Sequence, residues 1–256
     1  MSELQIHQFE CLSDNYSWLV HDPDANVTAV VDTPEVGPIL QALEDTGWQL
    51  THILNTHHHF DHAGGNEELK AKTGCQIIGS KTDAARIPGI DMQVGDGDSF
   101  TFGTRKVEVF DVSGHTIGHI AFWFPDDKII FVGDALFALG CGRLFEGSPA
   151  QMWQSLQKLT ALPADTTVYC AHEYTQSNAK FALTVEPDNA ALVDRARQID
   201  AMRAKGVPTV PTTIGLELET NPFLRPQSED LQRTIGMQGA GEVEVFAETR
   251  RLKDNF

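Results

Sequence analysis

Over roughly the first two-thirds of the chain, short apolar runs alternate with longer stretches of amphipathic character. His52-Ile53-Leu54-Asn55, Val107 to Val112, Lys128 to Gly133 and Thr166 to Ala171 read as buried or half-buried strands, and Glu35 to Thr46 and Pro149 to Leu162 read as helices. After Tyr174 the strand pattern fades. Helical spacing takes over in Ser177 to Thr184, Asn189 to Lys205, Ser228 to Ile235 and Glu242 to Lys253, broken by the proline-rich Val207-Pro208-Thr209-Val210-Pro211. The pattern predicts an α/β layered domain over residues 1–172 followed by a smaller all-α domain over residues 173–256.

The predicted strands share a feature at their ends. The first runs into Thr56-His57-His58-His59-Phe60-Asp61-His62, the second into Ser113-Gly114-His115, the third directly into Asp134 and the fourth into His172. In extended backbone, side chains at i, i+2 and i+4 point the same way, so His57, His59 and Asp61 converge while His58 and Phe60 turn aside, and His62 joins as the chain curls. Such crowding of imidazoles and a carboxylate is unfavourable unless a cation organises it. If Asp134 bridges, His57, His59 and His115 complete the ligands of one metal, and Asp61, His62 and His172 complete those of a second. Nitrogen and oxygen donors suit Zn²⁺, Fe or Mn²⁺. Coordination positions left open to solvent and substrate mark a catalytic site.

The order Thr56-His57-x-His59-x-Asp61-His62, His115, Asp134, His172 resembles the ligand signature of the metallo-β-lactamase superfamily. Further segments are similar to the glyoxalase II (hydroxyacylglutathione hydrolase) family: Asp14-Asn15-Tyr16, Gly140 to Gly147, Ala171 to Thr175, Glu186-Pro187, Asn221 to Arg225 and Arg250 to Phe256. The resemblance implies an αββα sandwich for the first domain and assigns Arg143, the backbone near Phe145, Tyr174, Arg250 and Lys253 to a glutathione pocket. It makes the helical domain a substrate-binding cover, so that removal of the chain after Gly241 raises KM and spares the metals. Thr33, Ala135 and Phe145 depart from the family pattern, where proline, threonine and tyrosine are common or can occur.

Composition narrows the partners. A formal net charge of -17 argues against nucleic acid. The acidity is uneven, with 9 Lys/Arg against 23 Asp/Glu in residues 1–172 and 10 against 13 in residues 173–256. No run approaches the roughly 20 apolar residues that cross a bilayer, and the start lacks a signal-peptide pattern. Cys11, Cys75, Cys141 and Cys170 show no CxxC spacing, so reduced thiols are expected. A cytoplasmic monomer with no nucleic-acid or membrane partner is the expectation.

The implied reaction is hydrolysis of an S-(2-hydroxyacyl)glutathione, such as S-D-lactoylglutathione, to the hydroxy acid and glutathione. Two divalent metals, zinc foremost, lower the pKa of a shared solvent to give hydroxide. Asp61 orients it and Asp134 bridges. Cys141 as nucleophile is an alternative the metal site makes unnecessary. The rivals are a persulfide dioxygenase with a single iron and a non-catalytic module that binds glutathione conjugates or metal.

Overall fold

The computed structural model describes residues 2–256. One six-stranded sheet runs in the order β1 (Gln5–Cys11), β2 (Asn15–Asp22), β3 (Val27–Val31), β4 (Leu50–Leu54), β5 (Gln76–Ser80), β6 (Met92–Val94). Its first three strands pair antiparallel, and β3 to β6 pair parallel. Parallel neighbours need crossovers, which the helices α1 (Val36–Thr46) and α3 (Asn66–Thr73) provide from β3 to β4 and from β4 to β5, and a helix-free loop provides from β5 to β6. A second sheet contains β7 (Ser99–Phe102), β8 (Arg105–Asp111), β9 (Ile120–Phe124), β10 (Ile129–Gly133), β13 (Thr167–Cys170) and β14 (Thr212–Thr213), in the order β14-β13-β10-β9-β8-β7. β11 (Leu136–Phe137) and β12 (Gly140–Cys141) form a separate ribbon.

Packing divides the chain into two compact units. One runs to Asp111 and adds Ile117–Gly133, and the other comprises Val112–Thr116 and Asp134–Phe256. This division follows contacts, whereas a boundary after His172 follows the change in element type. In the first unit, α1 buries Ile39, Ala42 and Leu43, spaced i, i+3, i+4, against Leu19, Val30, Ile53 and Ile77 of the sheet and Leu69 of α3. Gly47 ends α1 in the left-handed conformation that a residue without Cβ adopts freely.

The second unit is mainly helical: α4 (Pro149–Thr160), α5 (Thr175–Val185), α6 (Ala190–Arg203), α7 (Ile214–Thr220), a 3₁₀ turn over Pro222–Leu224, α8 (Glu229–Ile235) and α9 (Glu242–Asp254). The start of α4 is written in its sequence: Ser148 accepts from the Gln151 N–H, Gln151 reaches back to Ser148, and Pro149 opens the first turn. Leu139, Ala179, Ala182, Leu192, Ala196 and Ile199 form a buried cluster holding α5 to α6. No helix among the described residues is long and apolar enough to cross a membrane.

Candidate metal centre

The first half of the ligand set is arranged by a carboxylate that ends β3. Asp32 accepts hydrogen bonds from the Thr56 N–H and Thr56 Oγ1, both at 2.8 Å, and lies 2.8 Å from His62 Nδ1. A carboxylate on Nδ1 turns Nε2 of His62 outward as the available ligand atom. The loop is tied further by Asn55 Nδ2 donating to the His62 carbonyl at 2.8 Å and Asn66 Nδ2 donating to Asn55 Oδ1 at 2.7 Å. Thr33 donates its N–H to the same His62 carbonyl at 2.8 Å, a bond that proline at this position could not make.

His57 Nε2 and His59 Nδ1 stand 3.0 Å apart, so these two rings converge as the extended backbone predicts. The alternation does not continue to Asp61. Phe60–Ala63 forms a short helix, α2, which places Asp61 and His62 in a helical turn and corrects the extended reading of that segment. The Asn15 amide donates to both the carboxylate and the carbonyl of Asp61, at 3.2 and 3.3 Å. His58 is turned aside to Asp83, with Nδ1 2.9 Å from Oδ2, and Phe60 is 79% exposed. His119, fully buried, stacks on His57 with ring centroids 4.5 Å apart.

In the second half, Asp134 follows the last residue of β10, and its two oxygens face different imidazoles. Oδ2 lies 3.4 Å from His115 Nε2 and Oδ1 lies 3.3 Å from His172 Nε2. His115 Nδ1 is 2.8 Å from the carbonyl of Arg143, which as an acceptor requires the proton on Nδ1 and leaves Nε2 with its lone pair. His172 is backed by Tyr174, whose ring stacks on it at 4.6 Å with 1° between planes.

Ligand-type side chains gather in each compact unit: His57, His59, Asp61 and His62 in the first, and His115, Asp134 and His172 in the second. The donors are imidazole nitrogens and carboxylate oxygens, several with their second atom engaged by a protein partner, which is the chemistry of a metal site. These residues fit a divalent metal.

The residues expected to hold substrate occur in two environments. Arg143 is exposed, with its guanidinium carbon 4.6 Å from the Phe145 ring centre, and Phe145 packs edge-on to His115 at 5.1 Å. Lys253 is half-buried between the rings of Phe181 and Phe256, with Nζ 3.3 Å from the Ser177 carbonyl. Arg250 is buried, and its guanidinium already engages Asp254, the Cys141 carbonyl and the face of Phe223. Cys141 is no nucleophile, since burial pushes its thiol up to about 11 and keeps it protonated near neutrality. All four cysteines are buried and outside any disulfide.

Asp32 is the functional residue missed in the sequence. The signal was there, because Ala29-Val30-Val31-Asp32 repeats the motif of an apolar strand ending in a ligand-type residue.

Comparison with known proteins shows the family of the chain. The profile of the metallo-beta-lactamase superfamily matches residues 13–172, and that of the hydroxyacylglutathione hydrolase C-terminus matches residues 173–256. The hydroxyacylglutathione hydrolase of Methylococcus capsulatus is 56% identical over 253 residues, covering 99% of both chains. That of Maricaulis maris is 55% identical over 256 residues, covering 100% of both. Among solved structures, ETHE1 from Myxococcus xanthus aligns with a TM-score of 0.67 at 24% identity, covering 98% of this chain and 100% of its own. The BLEG-1 B3 metallo-beta-lactamase aligns with a TM-score of 0.66 at 20% identity, covering 86% of this chain and 100% of its own. With family profiles spanning nearly its whole length and relatives above half identity from end to end, the chain belongs to the hydroxyacylglutathione hydrolase family of the metallo-β-lactamase superfamily.

Proposed function

We propose that this chain hydrolyses S-(2-hydroxyacyl)glutathione thioesters, S-D-lactoylglutathione among them, to a 2-hydroxy acid and glutathione, the second step of methylglyoxal detoxification. The observation that carries the reading is the Asp134 carboxylate, whose two oxygens face the ligand nitrogens of His115 and His172 as a bridging group requires. His57, His59 and His115 would hold one metal and Asp61, His62 and His172 a second, with zinc the ion this reading prefers. Residues 1–172 form the catalytic part and residues 173–256 the substrate-binding part. Four cysteines outside any disulfide support a reducing, cytoplasmic setting.

When bound, a pair of divalent cations brings the pKa of solvent towards neutrality and offsets the charge that develops on the thioester carbonyl oxygen. The protein supplies orientation. Asp61, held by Asn15, would accept a hydrogen bond from the attacking solvent and so orient it towards the carbonyl carbon. Addition of hydroxide and loss of the thiolate release the acid and glutathione, and a thiolate with an ordinary pKa near 8.5 leaves without a strong general acid. Arg143 can grip a carboxylate of the tripeptide through paired donors, Tyr174 offers a flat face and a hydroxyl, and Lys253 adds charge.

The test is release of free thiol from S-D-lactoylglutathione by metal-loaded protein. Wild type should turn over, while Asp134→Ala should lose turnover and bind less metal. Absence of thiol release from wild type carrying two metals would remove the substrate assignment.

A further inference from the structure

Arg250 is named above as a substrate contact, yet the structure gives it different neighbours. Its Nη1 donates to the Cys141 carbonyl at 2.9 Å, its Nε donates to Asp254 Oδ1 at 3.0 Å, and its guanidinium lies over Phe223 at 4.9 Å. Only 5% of the residue is exposed. A planar cation held on two edges and one face makes a stiff strut.

The strut ends beside the ligands. Gly142, the next residue after Cys141, is packed so tightly that a Cβ there would stand 2.1 Å from the Asp134 carbonyl and 3.2 Å from His115 Nδ1. Its N–H points to the Ala135 carbonyl at 3.4 Å. One residue further, the Arg143 carbonyl accepts from His115 Nδ1 and sets the tautomer of that ring. A shift of the Cys141 carbonyl is therefore passed along two peptide units to the acceptor that orients His115 and to the backbone beside Asp134.

We propose that Arg250 is a positioning residue for the metal centre, clamping the Cys141–Arg143 turn so that His115 and Asp134 keep their ligand geometry. The last helix then does more than bind substrate: it braces the metal site through a single buried side chain. This rests on the reading of His115 and Asp134 as ligands. It runs against the expectation that loss of the segment after Gly241 changes KM alone.

The experiment measures zinc affinity by chelator competition in full-length wild type, Arg250→Met, Arg250→Lys and Lys253→Ala, with KM and kcat taken at saturating zinc. Methionine retains an unbranched apolar stem over Phe223 without donors. Lysine retains the charge but cannot span Asp254 and the Cys141 carbonyl with a planar fork. Loss of a partner that orients a ligand typically weakens metal binding about 10- to 100-fold. Acting through two peptide units, both Arg250 variants should fall near the lower end, about tenfold, with kcat reduced, while Lys253→Ala keeps wild-type zinc affinity and loses KM. Should the methionine variant not fold, the lysine variant decides alone. Wild-type zinc affinity in the Arg250 variants overturns the proposal, as does equal loss in Lys253→Ala, which would mark a general softening of the helix. Asp134→Ala run alongside separates the underlying reading: unchanged zinc binding there would mean the ligand assignment itself is wrong.

Discussion

Asp32 shows how much one side chain can organise. It ends β3 with φ of 59°, a left-handed conformation that Asp tolerates better than most residues, and from there receives Thr56 and faces His62. Replacing it by Ala should weaken metal affinity about 10- to 100-fold with the fold retained, as removal of a ligand's outer partner does. Chelator titration beside circular dichroism measures this, and unchanged affinity would leave Asp32 a backbone anchor only. Lys253 offers a pH test. Burial, with the neighbouring Arg250 charge adding to it, pushes its ammonium down to about 8. If Lys253 attracts a substrate carboxylate, KM should be lowest below pH 8 and rise as the amine loses its proton above it. Lys253→Gln should have a raised KM without that rise; a pH dependence that persists in the variant would assign it elsewhere. The same shift affects folding in a known sense: between about pH 8 and the ordinary 10.5 the unfolded chain binds more protons, so this group's contribution to stability grows as pH rises.

The elements that were readable are those whose ends carry their own chemistry. The capping pair Ser148 and Gln151 with Pro149 marks α4, and Gly47 marks the end of α1. The α7 helix escaped notice because its Ile214–Thr220 span is too short for a helical period to emerge. What holds it is tertiary. The fully buried Glu217 accepts from Arg195 at 2.6 Å, from Thr212 Oγ1 at 2.6 Å, from Asn221 at 2.9 Å and from the Leu139 N–H at 2.8 Å. Two of these partners, Arg195 and Leu139, lie 22 and 78 residues away along the chain, and no local pattern announces them. Glu217→Ala leaves Arg195 buried without its counter-charge and should cost about 3–5 kcal/mol. A urea midpoint with unchanged slope reads the loss, and a cost below about 1 kcal/mol, the range of exposed pairs, would contradict the burial of this cluster.

At the scale of the whole molecule, the ligand residues were legible because the backbone's own periodicity brings strand ends and their loops into register with the chemistry they carry. The order His57, His59, Asp61, His62, His115, Asp134, His172 is a linear fact, and each family profile matches one continuous stretch of the chain, 13–172 and 173–256. The surroundings were not linear. That Asp61 sits in a helical turn, that Thr33 gives its N–H to His62, and that Arg250 is a buried strut depends on partners up to 109 residues away. The division of the chain by packing likewise follows contact, taking Val112–Thr116 and the chain from Asp134 into one unit, where pattern alone divides it by element type.

The sequence by itself determined the alternation of strand and helix, the helical character of the last third and the identity of the ligand-type residues, because each is written in local spacing and side-chain chemistry. Tertiary structure alone decided which carboxylate faces His62, which carbonyl faces His115 and which cations are buried. Those outcomes turn on hydrogen-bond partners and burial, and both arise only when distant stretches of the chain pack together.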